Sequence, residues 1–279
     1  MRAAVAISPK QAEIDHRNSA FWDELCGTSL AKTLGIHDMS AASLEKFDRY
    51  YMDLYPYLGR YLRLDDLRGR SVLEIGIGYG TVSQKLAGVA GRYQGLDIAN
   101  GPVEMVNTRI AMNGLAGRAV RGSILDAPFP DASFDAVVTI GCLHHTGNIQ
   151  RAIDEVHRVL RPGGAALVMI YNALSYRRWW QFPRATAGQY LQDYWGLGAV
   201  RDASEAERAA YDTGSEGAAP ETEFTSMRRL RQICRGFSEC HVAKENAEQE
   251  RPFSRVRRSA LLPTVGRFLG LDLYARLKK

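Results

Sequence analysis

Short apolar segments alternate with segments of helical spacing through the middle of this chain. The apolar segments have the length of buried strands and lie at Ser71–Ile75, Arg92–Asp97, 119–122, Phe134–Ile140 and 165–171. Helical segments lie between them at Thr81–Ala87, 101–113 and Ile149–Val159. Such alternation predicts an α/β fold with a doubly wound parallel sheet, whose ligands lie at the carboxyl ends of the strands.

The pattern changes on both sides of this core. Before it, apolar residues between positions 8 and 64 fall near helical spacing, and Ser40 and Ser43 are candidate N-caps of a second helix. After it, residues 172–225 are rich in aromatic side chains but lack a regular period, which indicates an insertion folded over the active site. A helix is predicted over 227–236, with Gly236 at its C′ position, followed by strands over 239–244 and 271–277.

The first strand runs into a glycine-rich turn, Val-Leu-Glu-Ile-Gly-Ile-Gly-Tyr-Gly. Gly76, Gly78 and Gly80 occupy alternate positions, so a ligand can lie against the bare main chain. Glu74 precedes them, and its carboxylate would repel a pyrophosphate but suit a cationic ligand, such as the amino acid end of S-adenosylmethionine. The turn therefore favours a methyl donor over NAD. The alternatives are a turn without a ligand and a Glu74 that accepts backbone N–H groups.

An acidic residue ends the second strand. Asp97 follows the glycine turn by about 20 residues, where nucleotide-binding βαβ units place a carboxylate that accepts hydrogen bonds from both ribose hydroxyls. The glycine turn and the acid at the strand end are together moderately specific for a cofactor that contains a nucleoside.

Four segments of the core carry motifs in a fixed order, at residues 72–80, 95–98, 128–138 and 158–164. With them the chain resembles class I S-adenosylmethionine-dependent methyltransferases of the small-molecule type, similar to those of ubiquinone and menaquinone biosynthesis. The resemblance implies S-adenosyl-L-methionine as cofactor and a Rossmann-like, seven-stranded sheet whose last strand is antiparallel. It also implies four parts, namely an N-terminal helical cap (1–64), the cofactor-binding core (65–171), an insertion or lid (172–225) and the C-terminal part of the core sheet (226–279).

The resemblance extends to further site residues. Family members often carry an acid that binds the adenine amino group where this chain has Ser123, so Ser123 and the backbone of Ile124 are expected at the adenine. Gly141 would allow close approach of the cofactor. In related enzymes the loop with His144 and His145 borders the sulfonium and the acceptor, so one histidine could be a general base, with two structural histidines as the alternative. No third ligand accompanies them, and no metal site is predicted.

Candidate residues for binding the acceptor flank the core. They are Tyr50, Tyr51, Tyr171, Asn172, Trp179, Trp180 and Glu223. For the aromatic members, packing in the core is the alternative. Trp179 and Trp180 follow two arginines and could instead contact a membrane surface.

Composition and charge indicate the cellular location of the protein and the classes of partner that it is expected to lack. No apolar run reaches the roughly 20 residues that span a bilayer, and the N-terminus lacks the apolar segment of a signal peptide. The four cysteines match neither a zinc motif nor a disulfide framework, which indicates a reduced, cytoplasmic protein without stable membrane insertion. Much of the net charge of +5 comes from C-terminal arginines, but no nucleic-acid-binding module accompanies them, so no nucleic-acid partner is expected.

These observations predict a methyltransferase that acts on a small organic acceptor inside a lidded pocket, in biosynthetic or secondary metabolism. Three alternatives stay open: methylation of a quinone-like or lipid acceptor at the membrane, methylation of RNA or protein, and a non-catalytic S-adenosylmethionine-binding protein. The sequence also leaves open whether oxygen, nitrogen or carbon is methylated, and whether the chain forms a homodimer.

Overall fold

A computed structural model describes residues 8–25, 31, 34–199, 201–214 and 217–279. Its centre is a seven-stranded sheet with the strand order β3-β2-β1-β4-β5-β9-β8, beside a separate small hairpin of β6 and β7. The strands are β1 (Ser71–Ile75), β2 (Arg92–Asp97), β3 (Arg118–Arg121), β4 (Phe134–Ile140), β5 (Leu160–Tyr171), β6 (Thr213–Gly214), β7 (Gly217–Ala218), β8 (Glu239–Glu245) and β9 (Asp272–Lys278). Strands β1 to β5 pair in parallel, and β9 runs antiparallel to both of its neighbours. The predicted Rossmann-like sheet with an antiparallel last strand is therefore confirmed.

Helices surround this sheet and also precede it. They are α1 (Pro9–Leu25), α2 (Ala41–Leu54), α3 (Leu58–Leu62), α4 (Thr81–Ala87), α5 (Asn100–Met112), α6 (Ile149–Val159), α7 (Tyr176–Gln181), α8 (Pro183–Trp195), α9 (Glu205–Ala209), α10 (Met227–Ile233), α11 (Arg258–Leu261) and α12 (Val265–Leu269). Ser40 is the N-cap of α2, because its side chain accepts a hydrogen bond from the Ser43 N–H. Among the described helices, none has both the length and the apolarity that a membrane span needs.

Both faces of the sheet are covered. Side chains alternate along a strand, so a strand buried on both faces must be apolar throughout, as in β1, where all five residues are buried. Val72 packs on one side with residues of α4 and α5, whereas Leu73 packs on the other with residues of α6 and α10. This two-sided burial fixes the register of the central strands and the edge at which they end.

Two predicted boundaries differ from the structure by more than one residue. Helix α10 ends at Ile233 with Cys234 as its C-cap, so Gly236 is not at the C′ position. The chain turns early because Phe237 packs into the core before β8 begins. Strand β5 starts five residues before the predicted position 165, because Leu160 already pairs with Phe134 across a register shift.

The strand order places a crevice next to β1. From β1 the chain winds outward to β2 and β3 on one side, and it continues through β4 and β5 on the other. Ligands of doubly wound sheets bind at the carboxyl ends of the strands where the order reverses. In this chain that point lies between β1 and β4.

Candidate active site

A cavity of about 660 Å³ opens at the carboxyl ends of β1, β2 and β4. This volume is within the ~300–1,000 Å³ typical of small-molecule sites. One side, here called the cofactor side because the sequence motifs predict a cofactor there, consists of the glycine turn, the end of β2 and the loops after β3 and β4. The other, here called the acceptor side, consists of residues from α1, α2 and the segment after α9. The N-terminal helices and the insertion therefore meet at the same edge of the sheet.

The three glycines of the turn have positive φ and differ in what surrounds them. A Cβ at Gly76 would lie 2.3 Å from the Cβ of Cys142, and a Cβ at Gly80 would lie 2.7 Å from Cδ of Arg109. A Cβ at Gly78 would meet no described atom within 4 Å, and Gly78 lines the cavity. Gly76 and Gly80 are thus needed for packing, whereas Gly78 leaves the main chain bare towards the cavity.

Glu74 lies below this turn as a buried carboxyl group that lines the cavity. The Tyr93 hydroxyl donates a hydrogen bond to its Oε2 at 2.6 Å. Burial raises the pKa of Glu74 to about 7, and the Tyr93 hydrogen bond opposes that shift. A ligand cation beside Glu74 would favour its ionised form.

Asp97 connects the end of β2 to the glycine turn. Its Oδ2 accepts from the Ile77 N–H and its Oδ1 from the Ala99 N–H, both at 3.0 Å. Burial raises the pKa of Asp97, while these backbone hydrogen bonds counteract the rise. Each carboxylate oxygen can accept a second hydrogen bond, so the side chain still has capacity for a pair of hydroxyl donors in the cavity.

The loops after β3 and β4 complete the cofactor side. Ser123 and Ile124 both line the cavity, and the Ser123 hydroxyl accepts from the Leu125 N–H at 3.3 Å. Gly141 also lines it with a φ of 74°, and a Cβ there would meet no described atom within 4 Å. The loop therefore presents bare backbone beside Cys142.

The tandem histidines have different positions. His145 lines the cavity, whereas His144 is buried behind it with its ring centroid 4.1 Å from that of Tyr171. His145 Nδ1 lies 2.7 Å from the Glu221 carbonyl oxygen, so this nitrogen carries the proton and donates it. Nε2 is then the basic nitrogen. Burial lowers the pKa of both histidines, which favours neutral rings at neutral pH.

Asp212, in the insertion, faces that basic nitrogen. Its Oδ2 lies 3.6 Å from His145 Nε2, and its Oδ1 accepts from the Tyr171 hydroxyl at 3.2 Å. Burial raises the pKa of Asp212, while His145 lowers it. The sequence does not single out Asp212, because its local signal is only a polar position next to Tyr211 in an aperiodic segment.

Aromatic rings cover the acceptor side. Tyr50 and Tyr51, two of the predicted acceptor-binding residues, line the cavity. The ring of Trp22 lies 4.7 Å from that of His145. The aromatic residues that sequence reasoning missed are Trp22, Phe47, Tyr55, Tyr79 and Tyr211.

The other five predicted acceptor-binding residues lie outside the described lining of the cavity. Tyr171 instead donates, from its hydroxyl, the hydrogen bond to Asp212 Oδ1 that is described above. Asn172 donates from Nδ2 to the Gly270 carbonyl at 2.8 Å, and Glu223 accepts from the Ile149 N–H at 2.9 Å, where α6 begins. Trp179 and Trp180 are 37% and 55% exposed. Within the described part of the chain, no group of three His, Cys, Asp or Glu side chains could hold a metal ion.

Comparison with known proteins relates the core to one family. Residues 73–168 match the family model of a methyltransferase domain. The chain is 34% identical over 105 residues to demethylmenaquinone methyltransferase of Tropheryma whipplei, covering 37% of this chain and 43% of that protein. It is 34% identical over 122 residues to fatty-acid O-methyltransferase of Mycolicibacterium smegmatis, covering 43% of each. The matched segments therefore span less than half of these relatives.

Solved structures share the fold over a greater length. An S-adenosylmethionine-dependent methyltransferase of Thermotoga maritima has a TM-score of 0.51 and 17% identity, covering 85% of this chain and 95% of that one. The domain match begins at Leu73 and ends at Val168, so it contains the cofactor side of the cavity. The acceptor side comes from residues outside it.

Proposed function

We propose that this chain, whose residues 73–168 form a class I S-adenosylmethionine-dependent methyltransferase domain, transfers the methyl group of S-adenosyl-L-methionine to a small organic acceptor. The observation that carries the proposal is the arrangement of a single cavity. Glu74, Gly78 and Asp97 line one side of it, and His145 and Asp212 line the junction with the aromatic acceptor side. The demethylmenaquinone and fatty-acid methyltransferases among the relatives support a biosynthetic role and a small acceptor.

The residues on the cofactor side suit the parts of this methyl donor. In the proposal Asp97 accepts hydrogen bonds from the ribose hydroxyls, and the bare main chain at Gly78 lets the cofactor lie close to the turn. Glu74 balances the positive charge of the amino acid end, while Ser123 and Ile124 contact the adenine. When bound, the cofactor supplies an activated methyl group, so alignment of the acceptor provides much of the rate.

Methylation also requires a group that takes up the proton released by the acceptor. A hydroxyl acceptor, or an amine that enters as its ammonium, loses one proton overall when it is methylated. His145 Nε2 is unprotonated when Nδ1 donates to Glu221, and His145 is one of the residues that line the cavity. We assign His145 the role of taking that proton. His144, buried behind it, packs against His145 and Tyr171 and is assigned a structural role.

The cofactor assignment is tested by binding of S-adenosylhomocysteine, measured by calorimetry. The wild type should bind it saturably, and Asp97→Asn and Asp97→Ala should weaken binding by about 1.5–3 kcal/mol, the scale of hydrogen bonds to a charged group. Glu104→Ala is the matched control, because Glu104 is an exposed acid on the following helix. Absence of binding by the wild type, or equal affinity in all variants, would contradict the assignment.

A further inference from the structure

Apart from His145, whose burial favours the neutral ring, the described groups lining the cavity that can carry a charge near neutral pH are carboxyl groups. Its described lining contains four carboxyl groups and neither lysine nor arginine. Two of these acids, Glu74 and Asp97, belong to the cofactor side. The other two, Asp15 and Asp212, remain for whatever occupies the acceptor side. An acceptor with a carboxylate or phosphate would therefore find acids and no cationic side chain in the described lining.

Two buried arginines of the insertion, Arg177 and Arg178, do not change this balance, because both are already paired with carboxylates. Arg177 contacts Glu248 and Glu250, each at 2.6 Å. Arg178 lies 2.8 Å from Glu207, and both of those side chains are almost fully buried. A guanidinium group that is already ion-paired with carboxylates attracts a further anion, such as an anionic acceptor, only weakly.

The acceptor side also offers ring faces. Trp22, Tyr50, Tyr51, Tyr55 and Tyr211 line it, and aromatic faces stack on flat molecules and attract cations. Burial raises the pKa of Tyr211 to about 12, so its hydroxyl stays neutral at physiological pH. The rings therefore add apolar and quadrupolar surface and no negative charge of their own.

From these observations we infer that the acceptor is a flat molecule without negative charge, either neutral or cationic, and that carboxylates and phosphates are rejected. The inference rests on the proposed function and names the class of its acceptor. Burying an anion beside Asp212 without a partner would cost the full desolvation of its charge. A neutral ring avoids that cost, and an ammonium group gains the carboxylate as a partner.

The chemistry is balanced for both kinds of acceptor. A phenol gives its proton to His145 Nε2 as its oxygen attacks the methyl carbon. An ammonium gives one proton to the same nitrogen and attacks as the neutral amine. In each case a new C–O or C–N bond forms while the carbon–sulfur bond breaks, and its electron pair stays on sulfur. The charge of the acceptor therefore changes its binding and not the type of reaction.

Two matched series of ring compounds test the inference on the 279-residue chain saturated with S-adenosylhomocysteine. 4-Methylphenol, tyramine and 4-hydroxyphenylacetate share one ring, as do 3-methylindole, tryptamine and indole-3-acetate, and within each series the short side chain is neutral, cationic or anionic. Binding is measured by ligand-detected NMR and calorimetry. The neutral and cationic members should bind about tenfold or more tightly than the anions.

An anion that binds as well as its partners would overturn the inference, and so would the absence of binding by every neutral and cationic member. Failure of the proposed function is distinguishable, because the protein would then not bind S-adenosylhomocysteine at all.

Two substitutions locate the selectivity. Asp212→Asn should reduce the preference for the cation over the neutral compound by at least about threefold, whereas Asp202→Asn, at an exposed position of the same segment, should leave it unchanged. Thr213→Lys, at an exposed position that also lines the cavity, should strengthen anion binding by about tenfold without disturbing the fold. Unaltered charge preference in Thr213→Lys would contradict the inference even if Asp212→Asn were unstable.

Discussion

Asp48 and Arg109 form an ion pair at 3.0 Å that joins α2 to α5 below the glycine turn. Arg109 is fully buried, and its guanidinium lies 5.3 Å from the ring centroid of Tyr79. Asp48 also accepts a hydrogen bond from the Thr81 hydroxyl at 2.6 Å, at the start of α4. The helix that carries Tyr50 and Tyr51 on the acceptor side is thus attached to the turn on the cofactor side.

Removing the acid of this pair should destabilise the protein strongly. Asp48→Ala leaves a buried guanidinium without its partner, which typically costs about 3–5 kcal/mol in the free energy of unfolding. Urea denaturation measures the loss, and Asp53→Ala, at an exposed position of the same helix, serves as control. The double variant Asp48→Ala with Arg109→Met should recover much of the stability. Equal stability of the Asp48 and Asp53 variants would show that the pair contributes nothing.

Alanine at Gly76 and at Gly78 should have opposite main effects. Gly76→Ala brings a methyl group against Cys142 and should lower the melting temperature more than Gly78→Ala. Gly78→Ala should lower the free energy of unfolding by only roughly 1–2 kcal/mol, the strain of placing alanine in the left-handed backbone conformation. Its methyl group, however, occupies the cavity and should weaken S-adenosylhomocysteine binding about tenfold or more. Thermal unfolding and calorimetry on the two variants separate these effects. Normal cofactor affinity in a folded Gly78→Ala protein contradicts the role given to this turn.

Glu74 should make stability depend on pH. Its pKa of about 7 in the folded protein lies above its usual 4.5, so the folded state favours the protonated form. The stability from this group is therefore fully present below pH 4.5, declines as the pH rises, and is lost above about pH 7. The difference in unfolding free energy between wild type and Glu74→Gln should change by up to about 3 kcal/mol between pH 4 and 8. A constant difference over that range speaks against the raised pKa.

The same carboxyl group should couple cofactor binding to proton release. In the proposed site the ammonium of S-adenosylhomocysteine favours ionised Glu74, so binding between pH 5.5 and 7 should release a proton and strengthen with rising pH. Calorimetry in buffers of different ionisation enthalpy measures the release. Glu74→Gln should abolish it, and an undiminished release in that variant would assign the proton to another group.

Asp212 should raise the pKa of its neighbour His145. A carboxylate 3.6 Å from Nε2 favours the imidazolium, although burial keeps the pKa of His145 below its usual value. Asp212→Asn should therefore lower the His145 pKa further, as followed by NMR titration of labelled histidine. Asp202→Asn provides the control, and His145→Asn identifies the resonance. A His145 titration identical in the Asp212 variant would show that the two groups do not interact.

The sequence alone was sufficient to predict those parts of the fold that depend on residues within a single helix, strand or turn. The apolar run of β1, the glycines after it and Asp97 at the end of β2 follow from strand burial and from turn geometry, and each depends on neighbours along the chain. The same holds for α6, whose apolar spacing predicted both of its ends. The strand order then follows from general rules of doubly wound sheets.

Beyond Tyr50 and Tyr51, which the sequence already indicated, tertiary structure decided the acceptor side. Asp48 and Arg109 are 61 residues apart, and Asp212 reaches His145 from an insertion without a regular period. Trp179 and Trp180 were selected for their residue type, but the structure leaves them partly exposed at the surface. Periodicity records which face of an element is apolar, whereas the contact of two distant polar groups depends on the packing of every element between them. The sequence therefore determined the cofactor side of the cavity, and the packing of the cap and the insertion determined the other.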